Sequence, residues 1–504
     1  MSSPQNAYDR VLYRSAAFPQ THPDRLAVLG MIHGMSPPHV EHCRVLELAC
    51  GDGGNLIPMA YGLPGSQFMG VDLAAKPVSI AQDRVTRAGL TNIRVEQMDL
   101  MELGSGFGVF DYIIAHGLYA WVPEPVQEKV LAICRTNLGP NGIAFLSYNT
   151  NPAGQVRQIL REMVAFRETT FPEAANRVSQ ARETIERILQ IADPDSPWKT
   201  LLEYEFRKDY DRADEFVYHD DLTVNFRPLS FSDFIQRASK NGLQYISDAD
   251  IWELADQEMN ETARAALESL ADGDFLARQQ YLDFARGRRF RRSLLCHEDI
   301  SLRRHAILDS LEKVLVASPL QASGKQLDGT VEFFDFRSGG TIRTGNPLMI
   351  AAIRHLEEIW PHAVRFKDLQ NSILRALPES GELKPVELSR DLARAFLQLA
   401  DRSLVDLRSY HLPLAHGVSE KPAASCLARL MVRDGGLVTT QLHTNVQLED
   451  SASRKLLELL DGTRDRRALA ATLLTESERD VSEERLKSVD SYLRTLYRMG
   501  LLVS

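Results

Sequence analysis

At 504 residues the chain is too long for one ordinary hydrophobic core, so it is expected to be modular, with about three domains. Its composition, 44% hydrophobic and 25% charged, argues against long disorder, and a net charge of -10 argues against a protein whose main work is gripping nucleic acid. No run approaches the ~18 apolar residues of a membrane span, residues 1–6 lack the apolar core of a signal peptide, and the five scattered cysteines form no CxxC pair, which together predict a cytoplasmic protein with reduced thiols.

An N-terminal arm over residues 1–40 carries Tyr8, Tyr13, Phe18, Thr21 and His22, candidates either for a lid over a ligand or for packing on a sheet. Residues 44–47 read as a short apolar strand ending in Glu47, followed by a turn through Gly51, Gly53 and Gly54, with Asn55 opening a helix. Glycines let the backbone turn sharply and approach a ligand, and a helix start offers unpaired N–H groups, so this is the pattern of a nucleotide-cofactor loop. A second strand over 67–72 ends in Asp72, roughly 20 residues beyond the turn, the place of a carboxylate that grips a ribose diol. The third glycine of the dinucleotide fingerprint is replaced by Leu56, which disfavours NAD. A third strand over 93–98 runs into Asp99 and Leu100, and a fourth over 110–115 ends in Ala115 and runs into His116 and Gly117. A helix over 124–136, a turn over 139–142 and a fifth strand over 143–148 complete the alternation of an α/β, Rossmann-like, doubly wound sheet.

Residues 153–206 then read as helices. A capped helix over 232–242, a strand over 243–247, a helical stretch near 255–286 and a last strand over 290–296 follow. The catalytic core is therefore expected over 1–152 and 216–298, with a helical insert over 153–215 as a dimerisation region. The basic run Arg286–Arg292 reads as a solvated helix–strand junction. His219, Asp220 and Asp221 lack a spaced second His or Cys and read as a polar turn, so no metal is expected. Two further units, 299–415 and 416–504, each show helix, turn, helix and a last helix running into a short apolar strand (403–407; 500–503), the order of winged helices. Neither recognition helix is notably basic, which favours protein–protein or autoregulatory use over DNA binding.

Glu47, the glycine loop, Asp72, Asp99 and the strand over 110–114, in that order, resemble the class I S-adenosylmethionine methyltransferases. The resemblance implies that Glu47, Ala49 and Gly51 hold the methionine part of the cofactor, Asp72 the ribose hydroxyls, and Asp99 with Leu100 the adenine. Cys50, Gly53, Asn55, Leu73, Ala115 and His116 complete the expected contacts, and S-adenosylhomocysteine is the expected product. Ala49 stands where the usual first glycine stands, which is tolerable if its φ is negative. The stretches 8–26, 115–123 and 219–222 are similar to bacterial methyltransferases carrying a methyltransferase regulatory domain, a group that includes the rickettsial protein-lysine methyltransferases. That resemblance implies a seven-stranded sheet with helical inserts followed by two mainly helical winged-helix-like domains, a homodimer, and a protein substrate methylated on lysine. The alternatives are a small-molecule O- or N-methyltransferase and a cofactor-binding regulatory protein without turnover. His116, Tyr119 and Trp121 follow strand four at the carboxyl edge of the sheet and are the candidate substrate-pocket residues, His116 as base or hydrogen-bonding group and the two aromatics for cation–π contact. Tyr148, Asn149 and Asn151 face the same edge. The Asn/Asp-Pro-Pro-Tyr/Phe signature of amide and nucleobase N-methyltransferases is replaced by residues 115–118, Ala-His-Gly-Leu, which argues against DNA adenine or glutamine as acceptor.

Overall fold

The computed structural model describes residues 7–170, 177–223, 225–250, 259–304, 308–376, 385–472 and 482–503. Helices α1 (Ala7–Arg10) and α2 (Pro23–Ile32) precede β1 (Arg44–Leu48), α3 (Leu56–Gly62), β2 (Gln67–Asp72), α4 (Ala75–Arg87), β3 (Ile93–Gln97), β4 (Phe110–Ala115), α5 (Glu124–Asn137) and β5 (Leu138–Asn149). These five strands are parallel, in the order β3-β2-β1-β4-β5. Val45, Leu46 and Leu48 of β1 are all buried, as expected of a central parallel strand covered on both faces. The turn expected over 139–142 is absorbed into β5, which pairs with β4 through a register shift near Phe110.

Four helices follow: α6 (Ala153–Thr170), α7 (Arg177–Ile191), α8 (Pro197–Tyr210) and α9 (Asp214–Asp221). Leu160, Val164, Val178, Ile185, Leu202, Tyr210, Val217 and Leu222 give them a small core of their own. His219 is thus on a helix that packs with the insert rather than in a polar turn. Its Nε2 meets the Val11 carbonyl oxygen at 2.7 Å, and its ring stacks on Tyr8 at 4.3 Å. Among the described residues no group of three or more His, Cys, Asp or Glu side chains is placed to hold a metal ion.

The chain then returns to the sheet through α10 (Phe231–Lys240), β6 (Leu243–Asp248), α11 (Glu261–Ala271), α12 (Phe275–Arg286) and β7 (Phe290–His297). Ser230 caps α10 by accepting from the Asp233 amide, which fixes where that helix starts. Strand β7 lies antiparallel between β5 and β6 and completes the order β3-β2-β1-β4-β5-β7-β6. The helical stretch expected near 255–286 divides into α11 and α12, and its residues 255–258 lie outside the described ones. The basic run is not a solvated junction. Arg288 pairs with Asp248, Arg289 with Glu205 and Asp209, and Arg292 with Asp250. Arg291, 0% exposed, points inward between Asp248 and Asp283.

The middle unit holds more strand than its sequence suggested: β8 (Leu315–Ala317), a meander of β9 (Leu320–Leu327), β10 (Thr330–Asp335) and β11 (Thr341–Thr344), then α13 (Pro347–Ile359), β12 (Val364–Arg365), α14 (Phe366–Ala376), α15 (Pro385–Asp401) and β13 (Asp406–Arg408). Its apolar residues, among them Val316, Phe333, Leu356 and Phe396, join one continuous cluster with α2 and one face of the large sheet. The last unit keeps a separate core around Leu457, Leu469 and Leu493. It consists of β14 (Ala423–Ala424), α16 (Cys426–Asp434), the hairpin β15 (Leu437–Thr439) and β16 (Asn445–Gln447), α17 (Ser451–Leu459), α18 (Arg466–Thr472), α19 (Glu483–Arg498) and β17 (Leu502–Val503).

Candidate functional site

Three acids stand at the carboxyl ends of adjacent parallel strands. Glu47 near the end of β1 is buried, Asp72 at the end of β2 is half-buried and Asp99 just after β3 is exposed, so the site is graded from a dry interior to an open rim. Between β1 and β4 the strand order reverses direction, and ligands of such sheets bind in the crevice outside that switch point.

The loop after β1 is tied to this edge by its backbone. Asp72 Oδ2 accepts from the Gly51 amide at 2.9 Å, and its Oδ1 accepts from the Ala74 amide at 2.8 Å. Ala49 has φ 58, so the condition placed on it from sequence is not met. It occupies the left-handed region that the usual glycine would take, at a cost of about 1–2 kcal/mol for an L residue. The loop also presses against its surroundings. A Cβ on Gly54 would lie 2.2 Å from the Ser15 carbonyl oxygen, and one on Gly70 of β2 would lie 2.7 Å from Cys50 Sγ. Cys50 is a buried filler whose thiol burial pushes well above its ordinary value.

Glu47 is the unusual group. Its Oε1 accepts from Asn55 Nδ2 at 2.7 Å, while its buried Oε2 has no hydrogen-bond partner among the described residues. Burial pushes its pKa up to about 8, against the lowering effect of the Asn55 bond and with Asp72 adding to the rise. A buried carboxylate oxygen without a donor is costly, and this one fits a cationic or N–H-bearing group supplied from outside the chain.

Asn55 does not cap α3 but turns its side chain inward. Besides Glu47, its Nδ2 donates to Thr21 Oγ1 at 3.0 Å, and its Oδ1 accepts from the Phe18 amide at 2.9 Å and faces His443 Nε2 at 3.0 Å. The arm therefore packs directly on the glycine loop. Ser15 accepts from the Gly54 amide at 2.8 Å through its hydroxyl, which in turn donates to Asp52. Phe18 lays its ring 4.0 Å from that of His116. Ser15, Asp52 and His443 were not singled out from the sequence, and only Asp52 carried a signal, its place inside the loop.

The three substrate-pocket candidates diverge. His116 stays at the edge, with Nδ1 3.0 Å from Ser147 Oγ. Burial, with Arg292 adding to it, holds its pKa down to about 3. It is neutral at physiological pH and unsuited to accept a proton from an ammonium group. Tyr119 is 0% exposed, edge-on to Phe234 at 5.4 Å and Tyr148 at 6.2 Å, which moves it from the expected pocket wall into the core. Trp121 is half-buried and already engaged by Phe226 at 4.9 Å and by the guanidinium groups of Arg157 and Arg161 of α6 at 5.2 and 5.5 Å. Its cation–π partners are internal. Asn149 is buried and Asn151 half-buried beside it.

Three family models match the chain: a methyltransferase domain over 45–142, a predicted methyltransferase regulatory domain over 213–297, and the PKMT C-terminal winged helix domain over 420–488. The Rickettsia prowazekii protein RP028 is 33% identical over 235 residues, 94% of its length and 46% of this chain. The chain belongs to the S-adenosylmethionine-dependent methyltransferases similar to the rickettsial PKMTs. A second R. prowazekii protein, RP789, is 28% identical over 94% of this methyltransferase and 86% of its own length. PKMT2 from Rickettsia typhi in complex with AdoHcy superposes with a TM-score of 0.85 at 26% identity, over 98% of this chain and 100% of that one. The regulatory-domain match spans α9, α10, β6, α11, α12 and β7, so the part of the methyltransferase bearing that description supplies the last two strands of the catalytic sheet.

Proposed function

We propose that this methyltransferase modifies lysine side chains of a protein substrate. The full-length superposition on PKMT2 carries the reading, because it covers the insert and the C-terminal unit as well as the sheet. S-adenosylmethionine supplies an electrophilic methyl group on a sulfonium. The chain's part is to hold it: Glu47 Oε2 toward the aminoacyl ammonium, the Gly51 and Gly53 loop against the aminoacyl end, and Asp72 toward the ribose hydroxyls. Asp99 takes the adenine at the open rim, where Leu73, 57% exposed, and Met101, 47% exposed, offer apolar surface to a flat ring. His116, held neutral, does not take the proton; burial of the lysine amine on binding lowers its pKa, so that its proton passes to bulk water before the neutral amine attacks the methyl group. Incubating the full chain with radiolabelled S-adenosylmethionine and bacterial lysate is expected to label discrete protein bands that yield methyllysine on hydrolysis. Label confined to small molecules would favour the O- or N-methyltransferase reading, and no label at all the regulatory one.

Cofactor binding is expected to depend on pH through Glu47. In the free protein burial keeps this acid largely protonated at pH 7, and an ammonium placed at Oε2 favours the carboxylate. Binding of S-adenosylhomocysteine should therefore release close to one proton at pH 7, and affinity should rise by up to about tenfold per unit between pH 6 and 8 before levelling off. Calorimetry in phosphate and Tris, which differ in ionisation heat, checks this.

The insert supports a homodimer. Ile191, Trp198, Leu201 and Tyr204 of α7 and α8 are exposed apolar residues, too many on one small helical unit for an ordinary monomer surface. Light scattering is expected to give twice the chain mass for the unaltered protein and a shift to monomer for Trp198→Glu with Leu201→Glu. The cytoplasm is the proposed location, consistent with five free cysteines. No described helix is long and apolar enough to cross a membrane.

A further inference from the structure

The β15–β16 hairpin belongs to the C-terminal winged-helix unit, yet two of its residues, His443 in the loop and Asn445 at the start of β16, reach the glycine loop and the arm. Asn445 grips Ala17 on both backbone sides, accepting from its amide at 3.2 Å and donating to its carbonyl oxygen at 2.8 Å. His443 Nε2 meets Asn55 Oδ1 at 3.0 Å. His443 is 4% exposed, and burial, with His22 adding to it, holds it neutral; its Nε2 proton then donates to an amide oxygen that has none to give. The backbone of His443 is in the left-handed region, φ 54. The consequence falls on Asn55. The Phe18 amide fixes which end of its amide is oxygen, the Thr21 hydroxyl at 3.1 Å and His443 add to that end, and the NH2 end faces Glu47.

We infer that the C-terminal winged-helix unit is a working part of the cofactor site: His443, with Asn445 beside it, is a positioning residue that holds Asn55, and through it Glu47, in the orientation that binds S-adenosylmethionine. This rests on the assignment of Glu47 to the cofactor. Neither residue bonds Glu47 itself; Asn55 stands between. Asn445 fixes the arm so that the Phe18 amide and the Thr21 hydroxyl arrive at Asn55, and His443 supplies the donor that comes from the C-terminal unit.

The test titrates S-adenosylhomocysteine into the full-length protein by calorimetry. His443→Leu is expected to weaken binding about tenfold, the value of one buried hydrogen bond, whereas His443→Gln, which keeps an N–H donor, should stay within about threefold of the unaltered chain. In an Asn55→Ala background His443→Leu should cost nothing more, since the residue it acts through is gone. Asn445→Ala, with His443 intact, should also weaken binding and serves where the leucine variant fails to fold. Binding by the unaltered chain with unchanged affinity in His443→Leu and Asn445→Ala would overturn the inference alone, as would losses from His443→Leu and Asn55→Ala that simply add. Absence of binding by the unaltered chain would overturn the cofactor assignment with it.

Discussion

Asp72→Ala is expected to reduce the affinity for S-adenosylmethionine by about 100-fold or more, as two charge-assisted hydrogen bonds are lost at once. The carboxylate has two tasks. It faces the position assigned to the ribose, and it accepts from the Gly51 and Ala74 amides, so its removal releases the glycine loop as well as the ligand. Asp72→Asn keeps an acceptor for one amide and should fall between, near tenfold by the same reckoning. Gly51→Val should act by another route. A Cβ there meets nothing closer than 3.8 Å, but φ is 55, so the penalty is conformational, and a β-branched residue suits that region worst. Equilibrium binding to the three variants separates these causes, and near-native affinity in Asp72→Ala would remove the ribose from that carboxylate.

Arg291→Ala is expected to cause the largest loss of stability, about 3–5 kcal/mol. The guanidinium makes a two-point bond to Asp283 at 2.8 and 2.7 Å, reaches Asp248 at 3.0 Å and the Gln279 carbonyl oxygen at 3.1 Å, and lies 4.0 Å over the ring of Phe231. Burial alone would push Asp248 up, but Arg288 and Arg291 more than offset it and hold that carboxyl below its ordinary value. Alanine leaves Asp283 buried without its main partner and Asp248 with Arg288 as its remaining guanidinium partner. Denaturant unfolding should show an early first transition, and because several units unfold in turn the midpoint of that transition is the quantity to compare. Double replacement with Asp283→Ala should recover part of the loss, since the stranded charge goes with it.

Much of the catalytic sheet was legible because its signals are local. Glu47, Asp72 and Asp99 each stand at the end of a short strand-like run, and strand ends on one edge of a parallel sheet bring such residues together whatever the loops do. The features that sequence left hidden depend on partners far along the chain. His443 and Asn445 look like any polar hairpin turn until the C-terminal unit is seated on the arm. Ala49 shows its left-handed backbone only in three dimensions. Tyr119 and Trp121 were placed by their position after β4, but the short helical turn over Tyr119–Trp121 rotates one ring into the core and the other onto α6. Arg291 sits in a run of arginines that reads as surface, although strand alternation from the half-buried Phe290 sends it inward. The β9–β11 meander escaped detection because Ser323, Gly324, Lys325 and Gln326 interrupt any apolar alternation.

The most direct test of the account is a crystal structure of the full chain with S-adenosylhomocysteine. The ligand's ammonium is expected on Glu47 Oε2, its ribose hydroxyls on Asp72 and its adenine over Leu73 beside Asp99, with Asn55 still bonded to Glu47. A ligand bound elsewhere, or one that leaves Glu47 Oε2 without a donor, would contradict it.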